Sequence, residues 1–193
     1  MIDLNQYIDP VCLDKPWVEP LKGSAAFPHN VLVNTGNEPI GDLDGFAVAI
    51  IGVPDDRLSY NTGAAHAPDA IRKSLYSFSR LPGKLKITDL GNFRPGASFD
   101  DTIAGLRDVL LQLLAQKIVP VVIGGTSALM QAIDRALSAG KQKWSLVSVD
   151  SRIDFTAEKR PADSLNWMND LIYRSGSCLS HLSVIGHQTY LTD

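Results

Sequence analysis

Apolar and polar positions alternate in blocks along this chain. Phe46-Ala-Val-Ala-Ile-Ile-Gly52 is a nearly continuous apolar run closing on glycine, the pattern of a strand buried on both faces. Pro68 suits the first turn of a helix, and Ile71, Leu75 and Phe78 set an apolar stripe along residues 68–80. Lys86-Ile-Thr-Asp-Leu90 reads as a short second strand. Ile103, Leu106, Leu110, Leu113 and Leu114 then recur at helical spacing, with Asp100 or Asp101 placed to cap the start. Val119 to Ile123 is a third buried strand, followed by a helix from Ser127 to Ser138 that stops near Gly140. Trp144 to Val149 is the fourth strand, again read as buried. A helix from Ser164 to Tyr173 and a strand from Leu182 to Gly186 close the pattern. Strands alternating with helices at this rhythm imply right-handed crossovers. The expected fold is α/β, a three-layer α/β/α sandwich around a mainly parallel sheet.

The first 45 residues break this rhythm, since Pro10, Pro16, Pro20, Pro28 and Pro39 interrupt any helix. Residues 1–45 are expected to form an irregular arm over part of the core, and residues 46–193 the α/β domain. The pattern ends soon after the last strand with no covering helix. That leaves apolar faces for the arm or another subunit to fill, or for a further C-terminal portion of the protein.

Composition narrows the classes. With 45% hydrophobic and 20% charged residues the chain is globular, and 193 residues suffice for one real core. A net charge of −3 gives no basic field for nucleic acid or an anionic membrane. No apolar stretch approaches the ~20 residues of a membrane span. Met1-Ile-Asp-Leu-Asn-Gln6 lacks the regions of a signal peptide. Cys12 and Cys178 are far apart and show no metal-ligand spacing; a structural disulfide between them is possible but disfavoured without a secretion signal. A cytoplasmic location follows as an expectation.

Chemistry in an open α/β sheet collects beyond the carboxyl ends of its strands. Two such ends stand out. Gly124-Gly-Thr-Ser127 joins a strand to a helix, and is either a well-capped turn or an anion site at a helix N-terminus. The spaced glycine and lysine of a phosphate loop are missing. Asp150-Ser-Arg-Ile-Asp154 follows the fourth strand, and an extended backbone would put Asp150, Arg152 and Asp154 on one side. Two carboxylates so placed suit a divalent cation, but Arg152 between them brings a permanent charge. Charge alone favours Arg152 pairing with one or both aspartates without metal. His66, His181 and His187 are expected to be solvated or structural, His29 carries no signal, and no serine has the histidine and acid of a nucleophile motif.

These residues together resemble the arginase, agmatinase and formimidoylglutamase family, the ureohydrolases. The likeness runs through Ile51-Gly-Val-Pro-Asp-Asp56, Gly63-Ala-Ala-His-Ala-Pro-Asp-Ala-Ile-Arg72, Asp89-Leu-Gly-Asn92 and Val121-Val-Ile-Gly-Gly125, over residues 46–190. Its most distinctive piece is the Pro-x-Ala-Ile-Arg element, and formimidoylglutamase-like members are the most similar. The resemblance implies the N-terminal portion of an arginase-like fold. It also implies hydrolysis of an amidine or guanidine C–N bond with two manganese ions, which lower the pKa of a bound water and orient it. Asp150 and Asp154 fall on family metal-ligand positions. The histidine positions of the same clusters carry Ser127 and Arg152, and a third, Asp-x-Asp cluster would lie beyond Asp193.

The resemblance therefore argues for the fold and against a working metal site, with no manganese expected and no catalytic residue assigned. Three functions stay open. One is a degenerate formimidoylglutamase-like domain. Another is a non-catalytic module binding an amino-acid-like ligand or a protein. The third is an enzyme completed by further residues or by a second copy of the chain.

Overall fold

The computed structural model describes residues 2–12, 27, 31–79, 85–156 and 163–191. Pro16, Pro20, Pro28 and His29 lie outside the described residues. The chain divides into two compact units, Met1–Asp55 with Gly63–Gly125 and Asp56–Thr62 with Thr126–Asp193.

The first unit is built on a mixed, mostly parallel sheet. Its strands are β1 (Ile8–Asp9), β2 (Val31–Val33), β3 (Val48–Val53), β4 (Ile87–Phe93) and β5 (Val119–Gly124). β3 lies between β4 and β5, parallel to both. β1 and β2 share the other edge of β4, β2 parallel along Ile87–Asp89 and β1 antiparallel along Asn92–Phe93. The arm is thus more regular than its prolines suggest. Its two strands are short enough to fit between them, and they bury Ile8 and Val31. Pro120 is tolerated inside β5 for a related reason. Val119 donates its N–H to Ala47 O at 2.9 Å. Alternation then points position 120 away from β3, where a missing donor costs nothing.

Among the described residues this unit carries the α-helices α1 (Ala67–Leu75) and α2 (Phe99–Ala115). Ser98, rather than Asp100 or Asp101, caps α2: its Oγ accepts from Asp101 N–H while the Asp101 carboxylate accepts from Ser98 N–H. Ile103, Leu106, Leu110 and Leu113 are buried as the spacing predicted, Val109 joins them, and Leu114 is only half-buried.

α1 departs from expectation. Ile71 is 47% exposed and Phe78 61%, whereas Pro68, Arg72 and Tyr76 are buried. A charged residue turns inward because its charge is fully matched. Arg72 Nε and Nη2 donate to the two Asp89 oxygens at 2.8 and 2.9 Å, a bidentate pair with both side chains at zero exposure. Nη2 also reaches Gly91 O at 2.8 Å, and Nη1 reaches Asn92 Oδ1 at 2.5 Å. Tyr76 donates its hydroxyl to Asp89 Oδ2 at 2.7 Å. A β-bulge makes this possible. The β3–β4 register shifts between Ile50 and Ile51, so β4 carries an extra residue there, and Gly91 adopts φ +106°. Its amide turns to Asp89 Oδ1 at 3.0 Å. The two family-like segments ending at Arg72 and beginning at Asp89 are one buried network.

Burial opposes charge on Arg72, but the Asp89 hydrogen bonds and charge outweigh it, and the guanidinium pKa rises. The Tyr76 phenol is also pushed up, by burial first and then by the charge of Asp89. Its folded pKa exceeds the unfolded one, so the stability it confers is complete below about pH 10 and lost as pH rises beyond. The urea midpoint of the parent protein should fall more steeply than that of Tyr76→Phe between about pH 9 and 11. Equal slopes would show that the phenol is not held neutral.

The second unit contains α3 (Met130–Ala139), β6 (Trp144–Val149), α4 (Trp167–Tyr173) and β7 (Leu179–Ile185). β6 and β7 pair in parallel with each other and with no other described strand. One face of this ladder packs Leu146, Leu182 and Val184 against Trp167, Met168 and Leu171 of α4. The other is open, with Val147 60% and Val149 80% exposed. β5 likewise exposes Val119 and Val121, so neither strand is as buried as its apolar run suggested. Asp134 of α3, also fully buried, pairs with Arg174 and accepts from Ser138 and Ser177. No described helix is long and apolar enough to cross a membrane.

Candidate functional site

The carboxyl end of β6 carries the two aspartates, and the backbone does not stay extended there. Asp150 N–H still joins the ladder, donating to Ile185 O at 3.0 Å. Its side chain then turns the chain: Asp150 Oδ1 accepts Arg152 N–H at 3.0 Å, a local turn of the kind aspartate favours. Asp150, Arg152 and Asp154 consequently do not line one side of a strand. Arg152 is exposed, and no hydrogen bond or ion pair joins its guanidinium to either aspartate. The expected internal pairing is not made. Asp150 satisfies the backbone of Arg152 instead of its side chain.

Asp154 goes the other way, into the protein, at 7% exposure. Its Oδ2 accepts the Trp167 indole N–H at 2.9 Å, and its carbonyl accepts Met168 N–H at 3.2 Å, so it fastens the start of α4. Burial raises its pKa, the Trp167 hydrogen bond opposes that rise, and the charge of Asp150 adds to it. Trp167 is the site residue that sequence reasoning missed. The indole N–H is a donor needing a partner, thirteen residues from a buried acid, and only the fold brings them together.

The other strand end behaves as a capped turn. Thr126 accepts Ala128 N–H at 3.3 Å, while Ser127 is exposed and donates to Ser164 O at 3.3 Å. A short 3₁₀ turn leads into α3 there, where a helix was expected from Ser127. At Gly125 a Cβ would sit 2.5 Å from Asp55 O, which explains the glycine by close backbone approach. His66 stands exposed at the start of α1 without capping it through its side chain. His181 Nδ1 lies 3.2 Å from Ser180 Oγ, and His187 is exposed. Among the described residues no three His, Cys, Asp or Glu side chains gather as a metal-binding group. Cys12 and Cys178 are free thiols.

The arginase family model matches residues 46–190. The chain belongs to the arginase family. Its fold is similar to that of Trypanosoma cruzi formiminoglutamase, solved with Mn2+, at a TM-score of 0.68 and 20% identity over 77% of this chain and 55% of that one. Bacillus subtilis formimidoylglutamase gives 0.66 and 18% over 88% and 56%. Proclavaminate amidino hydrolase from Streptomyces clavuligerus gives 0.64 and 19% over 91% and 60%. The chain spans a little over half the length of these structures. No curated protein matches it by sequence. These likenesses carry the ureohydrolase fold.

A two-manganese centre does not fit the donors this family member offers at β6. Manganese favours several hard oxygen or imidazole ligands around one point. Here the segment supplies two carboxylates and no imidazole, and a guanidinium lies between them in sequence.

Proposed function

We propose that the chain is a formimidoylglutamase-like domain of the arginase family whose own residues do not form a working metal site. The amidine or guanidine C–N hydrolysis suggested by its relatives' names would then not run on this chain alone. The observation supporting this reading is the donor set the sequence offers: Asp150 and Asp154 at the end of β6, with Arg152 and Ser127 at the positions where the family likeness would call for histidines. Arg152 adds to it, because a cation close to the same carboxylates repels an incoming one. Two free cysteines are consistent with the cytoplasmic location that we include in the proposal.

The test is elemental analysis of tag-free protein, loaded with manganese and then desalted. Well under one manganese per chain is expected, together with no turnover of formimidoylglutamate, agmatine or arginine. Two ions retained per chain would overturn the reading. Arg152→His alone should not restore binding, since Ser127 still replaces the other histidine and Asp154 remains tied to Trp167.

A second reading is a non-catalytic ligand-binding or regulatory module on the same fold. It is favoured by Arg152 itself, an exposed guanidinium that forms no ion pair with a described acid, placed where ligands of α/β sheets collect. Such a group suits the carboxylate of an amino-acid-like ligand.

A further inference from the structure

One edge of β6 is paired with no described residue. Trp144 N–H donates to Cys178 O at 3.2 Å and Asp150 N–H to Ile185 O at 3.0 Å, so the even-numbered positions of the strand face β7. Backbone groups alternate along a strand, and those of Ser145, Val147 and Val149 therefore point away from β7. The same three residues carry the exposed side chains, Val147 at 60% and Val149 at 80%. Unpaired donors and acceptors thus run beside an uncovered apolar face.

Other strands carry features that blunt an edge. Pro120 removes an N–H from the outer edge of β5, and β1 and β2 are only two and three residues long. The register of β7 with β6 slips between Trp144 and Ser145, which places an extra residue in β7, and His181 and Ser183 are among its exposed positions. β6 itself, Trp-Ser-Leu-Val-Ser-Val, has no proline, charge or extra residue. Such an edge is a template for another strand.

The ends of β6 decide which strand fits. Lys143 precedes it and Asp150 follows it. A second copy of β6 laid antiparallel across a two-fold axis brings Lys143 of each copy towards Asp150 of the other, whereas a parallel copy would set lysine against lysine. The register that uses all three outward-facing residues centres on Val147. It sets Val147 opposite Val147, and Ser145 opposite Val149.

We propose that two copies of the chain associate in this way, joining their second units into one sheet ordered β7–β6–β6–β7. The pairing uses up both edges, so the assembly closes at a dimer. A single strand on each side makes a small interface, and a dissociation constant on the order of 10–100 µM is expected. The proposal rests on the strand edge and is independent of the metal question at Asp150 and Asp154.

Sedimentation velocity of the 193-residue chain, from about 1 to about 300 µM, should show a reversible monomer–dimer equilibrium. Val147→Lys puts two like charges at the axis and should weaken association by about tenfold or more. Val121→Lys, on the exposed face of β5, should associate as the parent does. Cross-linking reads the register, in a Cys12→Ser/Cys178→Ser background. Val147→Cys sets the two thiols on residues about 5.5 Å apart at Cα, within disulfide range, and should give a covalent dimer on mild oxidation. Val149→Cys separates them by about 14 Å and should not. A monomer at every concentration overturns the proposal, and so do open-ended oligomers or association that Val147→Lys leaves intact. Cross-linking as efficient at Val149→Cys as at Val147→Cys overturns it too. If Val147→Lys fails to fold, the two cysteine variants decide, since each is a small change at an exposed position.

Discussion

Asp89→Ala is expected to cost the protein about 3–5 kcal/mol of folding stability, the usual loss when one partner of a buried ion pair is removed. The reason is what stays behind. Arg72 cannot give up its proton, and at zero exposure it cannot reach water. Asp89 accepts from Arg72 Nε and Nη2, from the Tyr76 hydroxyl and from Gly91 N–H, so its loss takes one shared acceptor from four donors at once. Against a total of about 5–15 kcal/mol for a typical domain, that approaches unfolding. The matching control is Arg94→Met. Its pair with Asp9 has side chains 47% and 56% exposed, so about 1 kcal/mol or less should be lost. Urea unfolding of both variants decides the matter. Similar losses at the two sites would mean that the Arg72 pair is solvated. The double variant Arg72→Met/Asp89→Leu should recover part of the loss, because it removes both charges at once.

Much of this was legible in the sequence, for reasons that also show where it failed. Periodicity placed β3, β4, β5, β6 and the helices because apolar spacing reports burial directly. It misplaced the inward face of α1, where Ile71 and Phe78 looked like the stripe and Arg72 is what turns inward. A pattern of apolar letters cannot represent a charge neutralised by an acid seventeen residues on in another strand. It also read β5 and β6 as buried, since an apolar run specifies what would like to be covered and not what covers it. At the site, residue types were read correctly and the geometry was not. Alternation along Asp150–Asp154 assumed an extended chain, whereas Asp150 uses its carboxylate to turn it. Aspartate is a frequent turn former, so the signal was present and a strand assumption overrode it. Trp167 gave no signal at all as the partner of Asp154.

Gly91→Ala is the substitution expected to come next in cost, and it acts on the same network from the other side. Gly91 holds φ +106°, a conformation that alanine adopts only with strain of roughly 1–2 kcal/mol. Space is the second obstacle. A Cβ there would lie 2.1 Å from the carbonyl oxygen of Asp9 and 3.2 Å from Pro10 Cα. These are backbone atoms of β1 and its exit, and no rotamer change removes them. Something must move, and β1 is the weaker party: two residues on the edge of β4, held by the pairing of Ile8 with Phe93 and Asp9 with Asn92. Its release would uncover Ile8, now 2% exposed, at a further cost of about 1.5–3 kcal/mol. The β4 bulge and the Arg72–Asp89 pair would largely survive. Hydrogen exchange separates the two levels: in Gly91→Ala the amides of Val11 and Arg94, which bond to Asn34 and Tyr7, should lose protection well before those of β3. If instead β3 and β4 open together with the arm, the bulge and the buried pair form one cooperative unit with β1, and the arm is part of the core rather than a cover laid on it.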